Sequence, residues 1–319
     1  MNVELWIVNG QTAYQPPIKS GIVWDTSRYG EPGSLQFTCI KSGSLNIAEG
    51  NAVKFIVDGV NVFFGFIFTI QRDKSDEIKI TAYDQLRYLK NKDTYIYTNK
   101  RADQVISMIA GDFGLNVGSL ENTGHVIEKK VEDNQTLFDI IQNALDETLR
   151  TSKKMYVLYD DFGKLTLKNV ESMLTNILID EECAENVSYT SSINENTYNQ
   201  IKLTYANKAT GKREVYIAKD SGNINAWGVL QFYETVDNAQ GAAEKANALL
   251  QLYNAKTRNL RIEKAFGSVN VRAGVSVVVK LAIGDMSIQN YMLVESAKHI
   301  FENGTHFMDL TVRGGEING

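Results

Sequence analysis

The stretch VKFIVDGVNVFFGFIFTIQRDKSDEIKITA, residues 53–82, decides the fold. Val53, Phe55 and Val57 alternate with Lys54, Ile56 and Asp58, the period of two that sends successive side chains to opposite faces of a strand. Asp58-Gly59 then reverses the chain, because a two-residue hairpin turn needs positive φ, which glycine accepts at little cost. In the return run, Val60, Val62, Phe64, Phe66, Phe68 and Ile70 make every even-numbered position apolar, and Gly65 marks a bend or bulge. Residues Arg72 to Asp76 form a polar turn, after which Ile78, Ile80 and Ala82 alternate again. The reading is an antiparallel meander with one face in a core and one face wetter.

Moving outward, the period changes near Thr98. Ala102, Val105, Ile106, Ile109, Ala110 and Phe113 have helical spacing, and Gly114 is the expected stop. A second helix is predicted from Leu137 to Thr148, capped by Asn134 or Thr136, with Leu137, Ile140, Ile141, Ala144 and Leu145 as its apolar stripe. Met155–Tyr159 and Lys164–Leu167 read as a hairpin around the turn Asp160-Asp161-Phe162-Gly163. Strands return after residue 176. Ile201–Tyr205 and Glu214–Ala218 flank a loop at 207–211, and a helix from Asn238 to about Ala255, capped by Asp237, presents its alanines for close packing on a sheet. Runs at Gly274–Val279, Asn290–Glu295 and Phe307–Val312 end the chain, the last two joined by Asn303-Gly304. The expected fold is α+β and β-rich, in three parts: a β-barrel-like domain at 1–95, an α+β domain at 96–175, and a second β-barrel-like domain with a packed helix at 176–319.

Composition narrows the function. The chain has 319 residues, more than one hydrophobic core usually organises, and a 43% apolar fraction typical of folded domains. Its net charge is −5 with Lys and Arg scattered, so a nucleic-acid partner is not expected. No run reaches the ~18 apolar residues of a membrane span, and Met1–Trp6 has neither the basic flank nor the long apolar run of a secretion signal. Synthesis in a bacterial cytoplasm follows as an expectation. Two cysteines, Cys39 and Cys183, make no disulfide framework, and in that setting the Asn-X-Ser/Thr matches at Asn134, Asn186 and Asn303 carry no meaning.

Enzymatic constellations are missing from the sequence. His299 and His306 could meet across a hairpin, but a metal site would need a third ligand, and His125 is far away in sequence. Asp-Phe-Gly occurs at Asp112–Gly114 and Asp161–Gly163 without the Gly-rich loop or catalytic loop of a kinase, so the first is read as a helix end and the second as a turn. The pairs Asp160/Asp161 and Glu181/Glu182 are adjacent, which points their side chains apart; solvated turn positions explain them better than glycosidase chemistry. No nucleophile elbow and no Walker loop is present. We therefore expect no catalytic, cofactor-binding or metal residue, and no enzyme.

Several longer strings carry a resemblance. These are Ile80-Thr81-Ala82-Tyr83-Asp84-Gln85-Leu86-Arg87-Tyr88-Leu89-Lys90-Asn91, Ile109–Leu115, Leu158–Leu165, Met292–His299 and Asp309–Gly315. In this order and spacing, over about three quarters of the chain, they resemble the XkdQ/YqbQ family of defective-prophage and myophage tails, relatives of the late-control-D hub proteins. The resemblance implies a homotrimer whose subunits each give two tail-tube-like barrels, forming a pseudo-sixfold ring. It implies a structural baseplate hub of a contractile phage tail or tail-like bacteriocin. One side would meet the hexameric tail tube or its initiator and the other the trimeric central spike, among other baseplate proteins. Phe63, Phe66, Phe68, Tyr95, Tyr97 and Trp227 are candidate interface aromatics, with the core as their alternative place. The rival reading is a wall-binding or peptidoglycan-hydrolysing tail component, for which Ala102–Leu120 offers a loose likeness to small sugar-binding modules. A hexameric tube initiator is a third.

Overall fold

The computed structural model describes residues 1–19, 21–43, 45–194, 196–207, 210–236, 239–283 and 286–314. The chain forms two compact units, one of residues 1–188 and 260–314, the other of residues 189–259.

The first unit opens with β1 (Val3–Asn9), β2 (Thr12–Tyr14), β3 (Ile22–Ser27), β4 (Ser34–Ile40), β5 (Ala52–Val57), β6 (Val60–Arg72) and β7 (Glu77–Tyr83). They pair in the order β3-β4-β7-β6-β5-β1-β2. Asp58 (φ 48°) and Gly59 (φ 79°) make the β5–β6 turn, the left-handed pair that a tight hairpin demands. The apolar even positions of β6 divide: Val62 and Ile70 pack against the core, but Phe64, Phe66 and Phe68 do not. Phe55 is core-facing and pairs directly with Phe63, so Phe63 and Ile67 enter the core with Leu35, Phe37 and Ile80. Phe64, Phe66 and Phe68 emerge on the other side, where they meet Phe162, Tyr88 and Tyr83. Both faces of β6 are thus apolar for a reason. Gly65 is a close-approach position rather than a bulge: a Cβ there would lie 2.3 Å from the Tyr83 carbonyl oxygen, while the register shift falls between Ile67 and Thr69.

Next come β8 (Lys92–Lys100), α1 (Ala102–Asp112), β9 (Val117–Leu120), β10 (Ile127–Thr136), α2 (Leu137–Ser152), β11 (Tyr156–Asp160) and β12 (Leu165–Asn169). Phe113 and Gly114 (φ 63°) end α1. Thr136 caps α2, its hydroxyl oxygen accepting from the Asp139 N–H at 3.1 Å. The helices bury Val105, Ile106, Ile109, Leu137, Ile140 and Ile141 in one cluster with Tyr95, Tyr97, Leu158 and Leu165. Strands β13 (Leu174–Ile179) and β14 (Asn186–Ser192) follow.

The second unit holds β15 (Gln200–Asn207), β16 (Lys212–Lys219), α3 (Ser221–Trp227), β17 (Gln231–Thr235) and α4 (Ala242–Tyr253). Its sheet runs β16-β15-β17. Ala242, Ala246 and Leu249 of α4 pack with Ile201, Leu203 and Ala218, whereas Ala243 of the expected stripe is exposed. Gly241 precedes the helix; the expected cap Asp237 and the start at Asn238 lie outside the described residues.

The chain then returns with β18 (Thr257–Phe266), β19 (Ser276–Ile283), β20 (Met286–Glu302) and β21 (Thr305–Arg313). Asn303 (φ 52°) and Gly304 (φ 76°) turn β20 into β21. The long β20 pairs with β19, β21 and β3, so the first and last strands share one 13-stranded sheet. The fold is α+β and β-rich.

Candidate functional site

Two buried polar clusters stand out in the first unit. Where β20 meets β3, His299 lies opposite Trp24 and stacks on it with ring centroids 4.7 Å apart. His299 Nδ1 and His306 Nε2 are 2.9 Å apart, so the sequence-based pairing across the hairpin is present. Phe301 covers His306 at 4.0 Å, and Gly267 leaves room for it, since a Cβ there would lie 2.2 Å from the imidazole. Burial, then the neighbouring ring, pushes the His299 pKa down to about 3; burial pushes that of His306 to about 4. Both rings are neutral at neutral pH, one donating and one accepting. Among the described residues no group of three His, Cys, Asp or Glu could hold a metal ion. His299 is fully buried, a polar side chain within the apolar core.

The second cluster joins segments far apart in sequence. Asp84, at the end of β7, is buried and accepts from the Gly33 N–H at 2.9 Å and the Leu86 N–H at 3.0 Å. Gln85 donates to Asp160 Oδ2 at 2.8 Å and clasps the Asn116 backbone through both ends of its amide. Asp160 also accepts from the Gly163 N–H at 2.6 Å. Arg272, from the segment before β19, donates to the Asp160 carbonyl oxygen at 3.0 Å and lies 4.0 Å over the Tyr159 ring. Burial, then the Asp160 charge, holds the Asp84 carboxyl well above its ordinary range; burial raises Asp160 and lowers Arg272. Desolvation outweighs mutual attraction here, the usual balance for buried ions.

This corrects one expectation. Asp160 is not a solvated turn residue but a buried anchor, because its carboxylate tightens the turn that ends at Gly163. Asp161 and the pair Glu181/Glu182 are exposed as expected. Asp84, Gln85 and Arg272 were not singled out from the sequence. The signal for Asp84 was local, a carboxylate just before Gln-Leu at a strand end, the pattern of a cap. Arg272 gave none.

The candidate interface aromatics divide. Phe63, Tyr95 and Tyr97 are core; Phe66, Phe68 and Trp227 are half-buried. Exposed apolar side chains lie elsewhere. Ile96 and Val131 are direct cross-strand partners on the outer face of β8 and β10. Leu178, Val278 and Tyr291 form a row across β13, β19 and β20, with Leu178 and Tyr291 exposed. Among the described residues β13 pairs with β19 alone, and such an edge offers unpaired backbone groups to another chain.

The model of the YQBQ-like family matches residues 22–313. The phage-like element PBSX protein XkdQ of Bacillus subtilis is 31% identical over 97% of this chain and 96% of its own length. The 43 kDa tail protein of prophage MuSo2 from Shewanella oneidensis superposes with a TM-score of 0.73 at 14% identity, covering 99% of this chain and all of that one. The E. coli c3393 protein, a type VI secretion component described as structurally similar to the T4 tail proteins gp27 and gp5, gives 0.62 at 10% identity, over 99% of this chain and 78% of that one.

Proposed function

This chain belongs to the YQBQ-like family, and we propose on that premise that it is the structural hub of a phage-tail or tail-like baseplate. In this reading three copies form a ring, each giving two tail-tube-like β domains, within 1–95 and 176–319, flanking the α+β domain at 96–175. The ring joins the hexameric tail tube on one side to the trimeric central spike on the other. Two unlike domains per copy can occupy alternate positions of a sixfold ring while the assembly keeps threefold symmetry.

The match to XkdQ carries the proposal, since it spans 97% of this chain and 96% of that one rather than a single module. The fold shared with a prophage tail protein and with c3393 supports it from geometry. Physically, a sheet of this size with an open, apolar edge strand at β13 needs a neighbour, and ring closure supplies one. The polar clusters described above meet backbone and each other rather than an open cleft, which suits a structural part.

Light scattering behind a sizing column tests the reading, with and without the neighbouring spike and tube proteins. A mass three times that of the chain, alone or with the spike, is expected. A sixfold mass would point to a tube-like part. A monomer with all partners present overturns the hub, and retention on peptidoglycan would then direct attention to the wall-binding alternative.

A further inference from the structure

The second unit has an unusual sheet face. One side of β16-β15-β17 is covered by α4 and carries Glu214 and Glu234. Among the described residues no helix of this unit packs on the other side. Cross-strand register places Ile217 and Tyr233 on either side of Lys202, and Val215 beside Thr204. Val215, Ile217 and Tyr233 are 48%, 56% and 50% exposed. Lys202, Arg213 and Lys219 share that face, and no carboxylate does. Residues 189–259 hold eight Lys and Arg against six Asp and Glu, in a chain that has 33 against 38. This is a cationic, apolar patch on an otherwise anionic protein.

The occupant follows from charge and shape. Two such faces cannot stack on each other, because each would set three cations against three cations. A single-stranded nucleic acid would want several stacking rings, and this face has one, with two β-branched aliphatics. An anionic protein surface with apolar content fits. The first unit carries one: a 560 Å³ groove lined by Phe266, Ile300 and Phe307, rimmed by Glu182, Glu185 and Glu302. Phe266 is exposed at its mouth and only Lys264, bound to Glu185, is basic there.

We propose that the bare sheet face of one copy docks in the acidic groove of a second copy, head to tail. Such a heterologous contact closes into a ring when its rotation allows. The inference rests on the trimer reading above and deepens it by naming the two surfaces.

The groove contains a native reporter, Cys183, while Cys39 is buried. Protein carrying Ile217→Cys and Cys183→Ser is mixed with wild-type protein and treated with a short bis-maleimide. A cross-linked species of twice the chain mass is expected on a denaturing gel, in the mixture and in neither protein alone. Adding Lys202→Glu, Arg213→Glu and Lys219→Glu to the first protein lowers its yield about tenfold, and Glu182→Lys with Glu302→Lys in the second restores it. All these residues are at the surface, and circular dichroism checks that each variant is folded. Absence of the cross-link while light scattering shows a trimer overturns this docking and leaves the trimer standing. Absence of any trimer, with spike present, overturns both. A gel shift of an oligonucleotide lost on the same lysine and arginine reversals, without cross-link, assigns the face to nucleic acid instead.

Discussion

Acidification from pH 7.5 to 5 should weaken the first unit through the His299–His306 pair, and the effect can be sized. His299 has an ordinary pKa near 6.5 when unfolded and about 3 when folded. A depressed pKa means the unfolded chain takes up a proton that the folded chain refuses. Stability is therefore full above pH 6.5 and is lost progressively as pH falls towards 3. At about 1.4 kcal/mol per pH unit, His299 alone removes about 2 kcal/mol by pH 5. His306, with a pKa of about 4 but partly open to solvent, adds less. The decisive variant is His299→Phe, which keeps a ring against Trp24 and removes the proton site. It costs about 1–3 kcal/mol at pH 7.5, because His306 loses its 2.9 Å partner. Its fall in stability between pH 7.5 and 5, measured by urea unfolding, should nevertheless be smaller than that of wild type by about 2 kcal/mol. Asp84 and Asp160 act in the opposite sense, since their raised pKa values favour folding as pH falls, but they are common to both proteins and cancel. An equal fall in the two proteins would refute the reasoning, whatever the variant's stability at pH 7.5.

Three further outcomes follow from single contacts. Arg272→Met removes the cation beside Asp84 and Asp160 and the donor to the Asp160 carbonyl, and should cost about 3 kcal/mol. Thermal melts should show the loss shrinking as pH falls, because the raised pKa values of the two carboxyls bring on their protonation sooner. Gly65→Ala sets a Cβ against backbone, 2.3 Å from the Tyr83 carbonyl oxygen, and should cost about 3 kcal/mol or abolish soluble expression. Thr136→Ala removes the cap of α2 and should cost about 1 kcal/mol by chemical unfolding, with Thr136→Ser close to wild type.

Local order was legible wherever one periodicity ruled. The β5–β6 turn at Asp58-Gly59, both α helices of the first unit, the hairpin at 160–163 and the last turn at Asn303-Gly304 all lie where alternation and turn chemistry place them. The facing of β6 was not legible, because both its faces are apolar and only its partner Phe55 decides which one is core. Elements without an apolar signature escaped as well. The helix α3 has no buried residue, and β17 alternates only between half-buried and exposed positions. The pairing of β20 with β3 joins residues from 269 apart (Ser296 and Ser27) to 279 apart (Phe301 and Ile22), and nothing local announces it.

The buried polar clusters explain how such a distant pairing can be unique. Alternation alone leaves a strand free to slip by two residues, which keeps each side chain on its own face, and β20 is long enough to do so. At the β3–β20 seam, such a slip would carry His299 off Trp24, the ring it stacks on. At the second cluster, Arg272 reaches the Asp160 carbonyl only if the segment before β19 lies against the 160–163 turn, while Gln85 reaches Asp160 and Asn116 only if β7 ends beside it. At the second cluster a wrong arrangement leaves buried polar groups without these partners, a cost of about 1–3 kcal/mol apiece. The clusters add little net attraction, since desolvation opposes them; their effect is to raise the energy of the alternatives.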